Sequence, residues 1–187
     1  MKKPQKRVLP FLVLVAIIIA FGVILFTHSS YYQSVESSKE LVKAILENDY
    51  DAATEVLSDN PDCINTLPSF SPWWWRLMTE HPSVIFPLQQ ACYMGDFKMV
   101  KLMLDYGAEV NLVPPGIEGS QPPLTCAVIS GSPESAEIIS LLLESGADKS
   151  LADHGGRTAL DYAVELSHTE LIELLNFTGL QAVIGDT

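Results

Sequence analysis

A short apolar pattern, Leu-x-x-Ala, returns along the chain in the same local setting, at Leu41/Ala44, Leu88/Ala91, Leu124/Ala127 and Leu160/Ala163. The last three copies are spaced by thirty-six residues, and the first lies further upstream because a long insertion follows it. Four residues after each Ala stands a turn former: Asn48, Gly95, Gly131 and Ser167. The second copy is the most regular. Pro87 suits the first turn of a helix, where its missing N–H would be unpaired anyway. Leu88, Ala91 and Cys92 then fall at i, i+3 and i+4, on one helix face. Gly95-Asp96 breaks that helix, and Phe97, Val100, Met103 and Leu104 resume the spacing in a second one. Gly107 follows as a left-handed C-cap. One such helix pair cannot bury its apolar stripe alone, so the copies are expected to stack into an all-α solenoid of about four repeats.

The order of residues within these units resembles the ankyrin repeat. The second copy runs Phe86-Pro87-Leu88-Gln89-Gln90-Ala91-Cys92-Tyr93-Met94-Gly95-Asp96, then Leu102-Met103-Leu104-Asp105-Tyr106-Gly107-Ala108. The third matches through Pro123-Leu124-Thr125-Cys126-Ala127 and Leu141-Leu142-Leu143-Glu144-Ser145-Gly146-Ala147-Asp148, the fourth through Gly156-Arg157-Thr158-Ala159-Leu160-Asp161-Tyr162-Ala163. The first is degenerate and ends at Asn65. The resemblance covers residues 37–180, with an insertion at 66–86. The family's usual His of the Thr-Pro-Leu-His motif is replaced by Val42, Gln89, Thr125 and Asp161, so its hydrogen-bond network is either absent or rebuilt. About three extra residues in the third copy, near Ser132-Pro133-Glu134, are expected to make that turn bulge outward. The resemblance implies a concave binding face made by the first helices and the inter-repeat fingers. On it would lie Gln89, Gln90, Tyr93, Asn111, Leu112 and Thr125, then Asp153, His154, Asp161 and Tyr162.

The N-terminus changes the picture. Residues 8–26 hold no charged side chain, and at about 1.5 Å each they reach about 28 Å, close to a bilayer's hydrocarbon thickness. Lys2, Lys3, Lys6 and Arg7 precede this run, and no Lys or Arg follows until Lys39. The expectation is a single-pass membrane protein: segment 1–7 cytoplasmic, one transmembrane helix at 8–26, a linker at 27–36, and the repeat domain outside the cytoplasm. A cleaved signal is the alternative. Residues 181–187 read as a tail.

Beyond the span, seven Lys/Arg face all twenty-three Asp/Glu. Such a surface reads first as a solvated one that keeps the protein soluble; the sharper reading is a basic protein partner steered in by the field, and nucleic acid is disfavoured because the surface repels phosphate. The insertion holds every Trp of the chain, as Trp73-Trp74-Trp75-Arg76. Three readings stand: a cap on the weak first repeat, a membrane-interface cluster, or a protein-binding lobe. Cys63, Cys92 and Cys126 read as core filler, and a Cys92–Cys126 bridge would need Cα atoms within about 7 Å. No nucleophile, paired-carboxylate, phosphate-loop or metal-ligand spacing is found, so no enzyme activity, cofactor, metal or small-molecule substrate is expected. Asp153-His154-Gly155-Gly156 falls where turn chemistry explains it. The function expected is scaffolding of another protein by a membrane-anchored, exported domain. The alternative is a protective, immunity-type inhibitor of an exported protein or toxin.

Overall fold

The computed structural model describes residues 31–67, 85–113 and 120–177. Residues 31–47 form α1. The chain continues through α2 (Tyr50–Asp59), a 3₁₀ helix (Pro61–Asn65), α3 (Pro87–Met94), α4 (Phe97–Asp105), α5 (Pro123–Ser130), α6 (Ser135–Glu144), α7 (Ala159–Glu165) and α8 (Thr169–Phe177). No strand occurs among the described residues. Helices pair as hairpins. First helices pack on first helices, α3 on α5 and α5 on α7, while α4 packs on α6 and α6 on α8. This is the two-layer stack that the repeat spacing predicts.

The tetrad explains why. Leu41, Leu88 and Leu124 are buried, Leu160 is half-buried, and Ala44, Ala91, Ala127 and Ala163 are all buried. The small Ala lets adjacent first helices approach, and each buried Leu contributes about 1.5–3 kcal/mol by leaving water. All four turn positions adopt the left-handed conformation: Asn48 at φ 54°, Gly95 at 70°, Gly131 at 60° and Ser167 at 58°. Helix starts are set by side chains as well. Asp49 accepts from the Ala52 N–H at 2.9 Å and Asp96 from the Met99 N–H at 3.0 Å, each satisfying an orphan donor of the second helix.

Successive units are tied at both edges. At the outer loops, the Asn65 amide donates to the Gly107 carbonyl at 3.2 Å and accepts from the Glu109 N–H at 2.8 Å. Asn111 repeats this one unit later, on the Gly146 carbonyl at 3.0 Å and the Asp148 N–H at 2.8 Å. At the opposite edge, the Tyr50 hydroxyl donates to Asp96 at 2.5 Å, and Glu134 accepts from the Phe97 N–H at 2.9 Å. The extra residues of the third copy therefore do not bulge free. Ser132 donates to the Gly95 carbonyl at 3.0 Å, so the insertion folds back over the preceding turn.

Two expectations about the N-terminal part change. Residues 31–36, assigned to a linker, are helical, because Val35 and Ser38 extend the buried face of Leu41 and Ala44. The second concerns localisation. Among the described residues no helix is long and apolar enough to cross a membrane. All but α1 have ten residues or fewer, and α1 carries Glu36, Lys39, Glu40, Lys43 and Glu47. The assignment as a single-pass membrane protein with an exported domain is therefore not supported and is corrected. Residues 8–26, on which it rested, lie outside the described residues, as do 1–7 and 181–187.

The cysteines are free and buried, as core filler should be. Burial pushes the Cys63 thiol up to about 11 and Cys126 to about 12, and raises Cys92 as well, so all three stay protonated and unreactive at neutral pH.

Candidate interaction surface

Helices α3, α5 and α7 begin at Pro87, Pro123 and Ala159, in register with the thirty-six-residue repeat. Their last positions before the turn are therefore equivalent, and they sit side by side on adjacent helices. Tyr93, Ile129 and Glu165 share one position; Met94, Ser130 and Leu166 share the next. In α1 the corresponding pair is Leu46 and Glu47. The helical phase that turns Ala91 and Cys92 inward turns Tyr93 and Met94 outward. Leu46 and Tyr93 are each 52% exposed, Leu166 45% and Met94 41%, while Ile129 is half-buried. Each of the four first helices thus places an apolar side chain at one or both of these positions, with Glu47, Ser130 and Glu165 interrupting the stripe. Helices α3 and α5 carry no charged residue at all.

Carboxylates border the stripe. Glu47 lies at one end and Glu165 at the other, with Asp49, Asp96 and Glu134 along the adjoining turns. The nearby cations are already engaged: Lys43 faces Glu47 at 4.0 Å, and Arg157 meets Glu165 at 3.1 Å. Lys98 and Lys101 belong to α4, in the other layer. The stripe is apolar in its centre and acidic at its rim.

Of the residues expected on the binding face, Tyr93 is on this stripe. Gln90 is buried beside it on α3. Gln89 is buried and structural: its Oε1 accepts from the Phe86 N–H at 2.9 Å, and its Nε2 donates to the carbonyls of Gln121 at 2.6 Å and Leu112 at 3.3 Å. It rebuilds, at one position, the network of the missing His. Thr125 is buried with its hydroxyl unpartnered. Asn111 has its amide engaged by the next unit, and Leu112 is half-buried beside it.

The fourth-repeat residues form a separate cluster. Asp153 accepts from the backbone N–H of Gly155 at 2.8 Å and of Arg157 at 2.9 Å, and from the Tyr162 hydroxyl at 2.6 Å. The Tyr162 hydrogen bond, with these amides and Arg157, holds the Asp153 carboxyl below its ordinary range. Burial and the bond to Asp153 push Tyr162 up. The Arg157 guanidinium lies 4.2 Å over the Tyr162 ring and also donates to its hydroxyl. Asp161 caps α7 through Thr158, which lowers its carboxyl, and His154 is exposed in the turn. These groups hold a loop in shape. Trp73, Trp74, Trp75 and Arg76 lie outside the described residues.

Leu46, Met94, Ile129 and Leu166 were not singled out from the sequence. The signal was available: each is an apolar residue one or two positions before the turn, out of phase with the Leu/Ala stripe.

A solenoid of paired helices stacked in register defines a helical repeat protein. The sequence model for ankyrin repeats in three copies matches residues 88–182, and the chain belongs to the ankyrin repeat family. It is also 31% identical over 102 residues to the human protein phosphatase 1 regulatory subunit 27, covering 54% of this chain and 62% of that protein. The chain thus spans about three fifths of the length of this relative. The repeats suggest protein–protein interaction.

Proposed function

We propose that this chain binds another protein through the stripe formed by Leu46, Tyr93, Met94, Ile129 and Leu166, and that occupancy changes the activity of the bound protein. The observation that carries the reading is the exposure of Leu46, Tyr93, Met94 and Leu166, beside the half-buried Ile129, at one or other of the last two positions before the turn in the four first helices. Scattered apolar residues on a surface need no explanation; a row in register does. Rigid helices hold that row in place, so little ordering entropy is lost on binding. The name of the human relative, a regulatory subunit, supports regulation rather than passive tethering. Inhibition of a basic protein is the form of regulation that the acidic rim favours, and the protective reading belongs here. The insertion at 66–86 is proposed as a second contact.

The test isolates the partner with the full chain and measures its activity with and without the chain. A Tyr93→Ser/Met94→Ser variant should lose both capture and the change in activity, with its circular dichroism intact. Capture that survives in the variant would refute the assignment of the stripe.

A further inference from the structure

We infer that the stripe receives an amphipathic segment whose apolar side chains are flanked by lysine or arginine. This rests on the reading of the stripe as a protein-binding surface and specifies the chemistry of its occupant. The chain carries 23 Asp and Glu against 11 Lys and Arg. On the side of the first helices the imbalance is local. Glu40, Glu47, Asp49 and Asp161 lie on α1, α7 and the first turn, whereas Lys39 and Lys43 are both in ion pairs on α1. The interior helices α3 and α5 contribute apolar and uncharged surface only. Along the rim the five carboxylates of Glu47, Asp49, Asp96, Glu134 and Glu165 outnumber the two cations paired with them, Lys43 and Arg157. A purely apolar occupant would leave this excess negative charge beside low-dielectric surface, and an acidic one would be repelled within a Debye length of about 10 Å at 0.1 M salt. Cations on either side of an apolar core meet both conditions. The apolar side chains cover Tyr93, Met94 and Ile129, while the Lys or Arg heads reach the excess carboxylates along the adjoining turns, Asp49, Asp96 and Glu134.

Opposite-charge docking of this kind also sets the salt dependence. Rim charges act mainly on association rate and are screened as salt rises, whereas the apolar centre governs residence.

The experiment uses the full chain and two synthetic helical peptides with the same leucine pattern, one with lysine and one with glutamate on the flanks. Fluorescence anisotropy should show the leucine/lysine peptide binding and the leucine/glutamate peptide failing to bind. Tyr93→Ser/Met94→Ser should weaken the lysine peptide by about tenfold or more, the scale of losing two exposed anchors. These side chains are 52% and 41% exposed, so the change leaves the core intact. Equal binding of both peptides would overturn the inference, and so would no binding of either. Undiminished binding by the variant would overturn it too, by placing the contact elsewhere on the acidic surface. If a natural partner is captured through Tyr93 but docks a neutral or acidic segment there, the protein-binding function stands and this inference alone falls.

Discussion

The hydroxyl of Tyr50 donates to the carboxylate of Asp96 at 2.5 Å, joining the start of the first unit's second helix to the turn of the next unit. Asp96 already caps α4, so one side chain holds both a helix start and an inter-repeat tie. The bond pushes the Tyr50 hydroxyl up to about 12, chiefly because ionisation would lose the hydrogen bond to a neighbouring carboxylate. A raised value means the folded state holds the proton more tightly. The contribution is therefore complete below the ordinary tyrosine value of 10.0 and is lost as pH rises toward about 12. Tyr50→Phe should cost about 0.5–1 kcal/mol in urea unfolding at pH 7, the modest scale of an exposed bond. It should also remove the highest-pH step in an ultraviolet tyrosine titration; a wild-type-like titration would refute the tie.

Asn111 gives a larger effect. Its amide makes two bonds to the backbone of the next unit, at Gly146 and Asp148. Asn111→Ala should destabilise by about 1–2 kcal/mol. Because stability in a repeat array is the sum of unit and interface terms, the unfolding transition should also broaden as the second and third units decouple. A sharp, unshifted transition would show that the outer loops carry no coupling.

Two glycines separate backbone strain from packing. Gly95 and Gly107 are both left-handed, at φ 70° and 84°. A Cβ on Gly95 would lie 2.3 Å from the Ser132 Cβ, whereas one on Gly107 meets nothing within 4 Å. Gly107→Ala should cost about 1 kcal/mol, the conformational penalty alone. Gly95→Ala should cost about 2–4 kcal/mol, since the inserted turn must also move. Equal costs at the two positions would mean that the insertion does not press on Gly95.

Acid should loosen the C-terminal end first. Asp148, Asp153 and Asp161 all have lowered carboxyls, through hydrogen bonds from Ser150, Tyr162 and Thr158 respectively. Depressed values mean that their stabilisation is present above the ordinary Asp value of 3.8 and is lost as pH falls below it through the folded values. Hydrogen exchange at pH 3 should show α7 amides losing protection ahead of α3 amides. The reverse order would contradict the role given to the Asp153 cluster.

Much of the stack was legible in the sequence because it depends on local rules. Leu88, Ala91 and Pro87 fix the phase and start of α3, and Asn48 and Ser167 behave as the two turn glycines do because their position, not their side chain, demands a left-handed backbone. What stayed hidden were partners distant in sequence. Gln89 resembles a surface residue until its amide is seen between Phe86, Leu112 and Gln121, up to 32 residues away. Asn111 was expected to face a partner for the same reason, and the third-copy insertion was expected to bulge because Gly95, its seat, lies in another unit. The stripe itself needed the register of adjacent helices, which spacing implies but does not display.

The most direct test of the central claim places a photo-cross-linking amino acid at Tyr93, on the stripe, or at Lys101, on α4 in the other layer. Irradiation in the native cell should yield a protein adduct from position 93 and none from position 101. An adduct from position 101 alone, or from neither, would contradict a protein-binding function seated on the first helices.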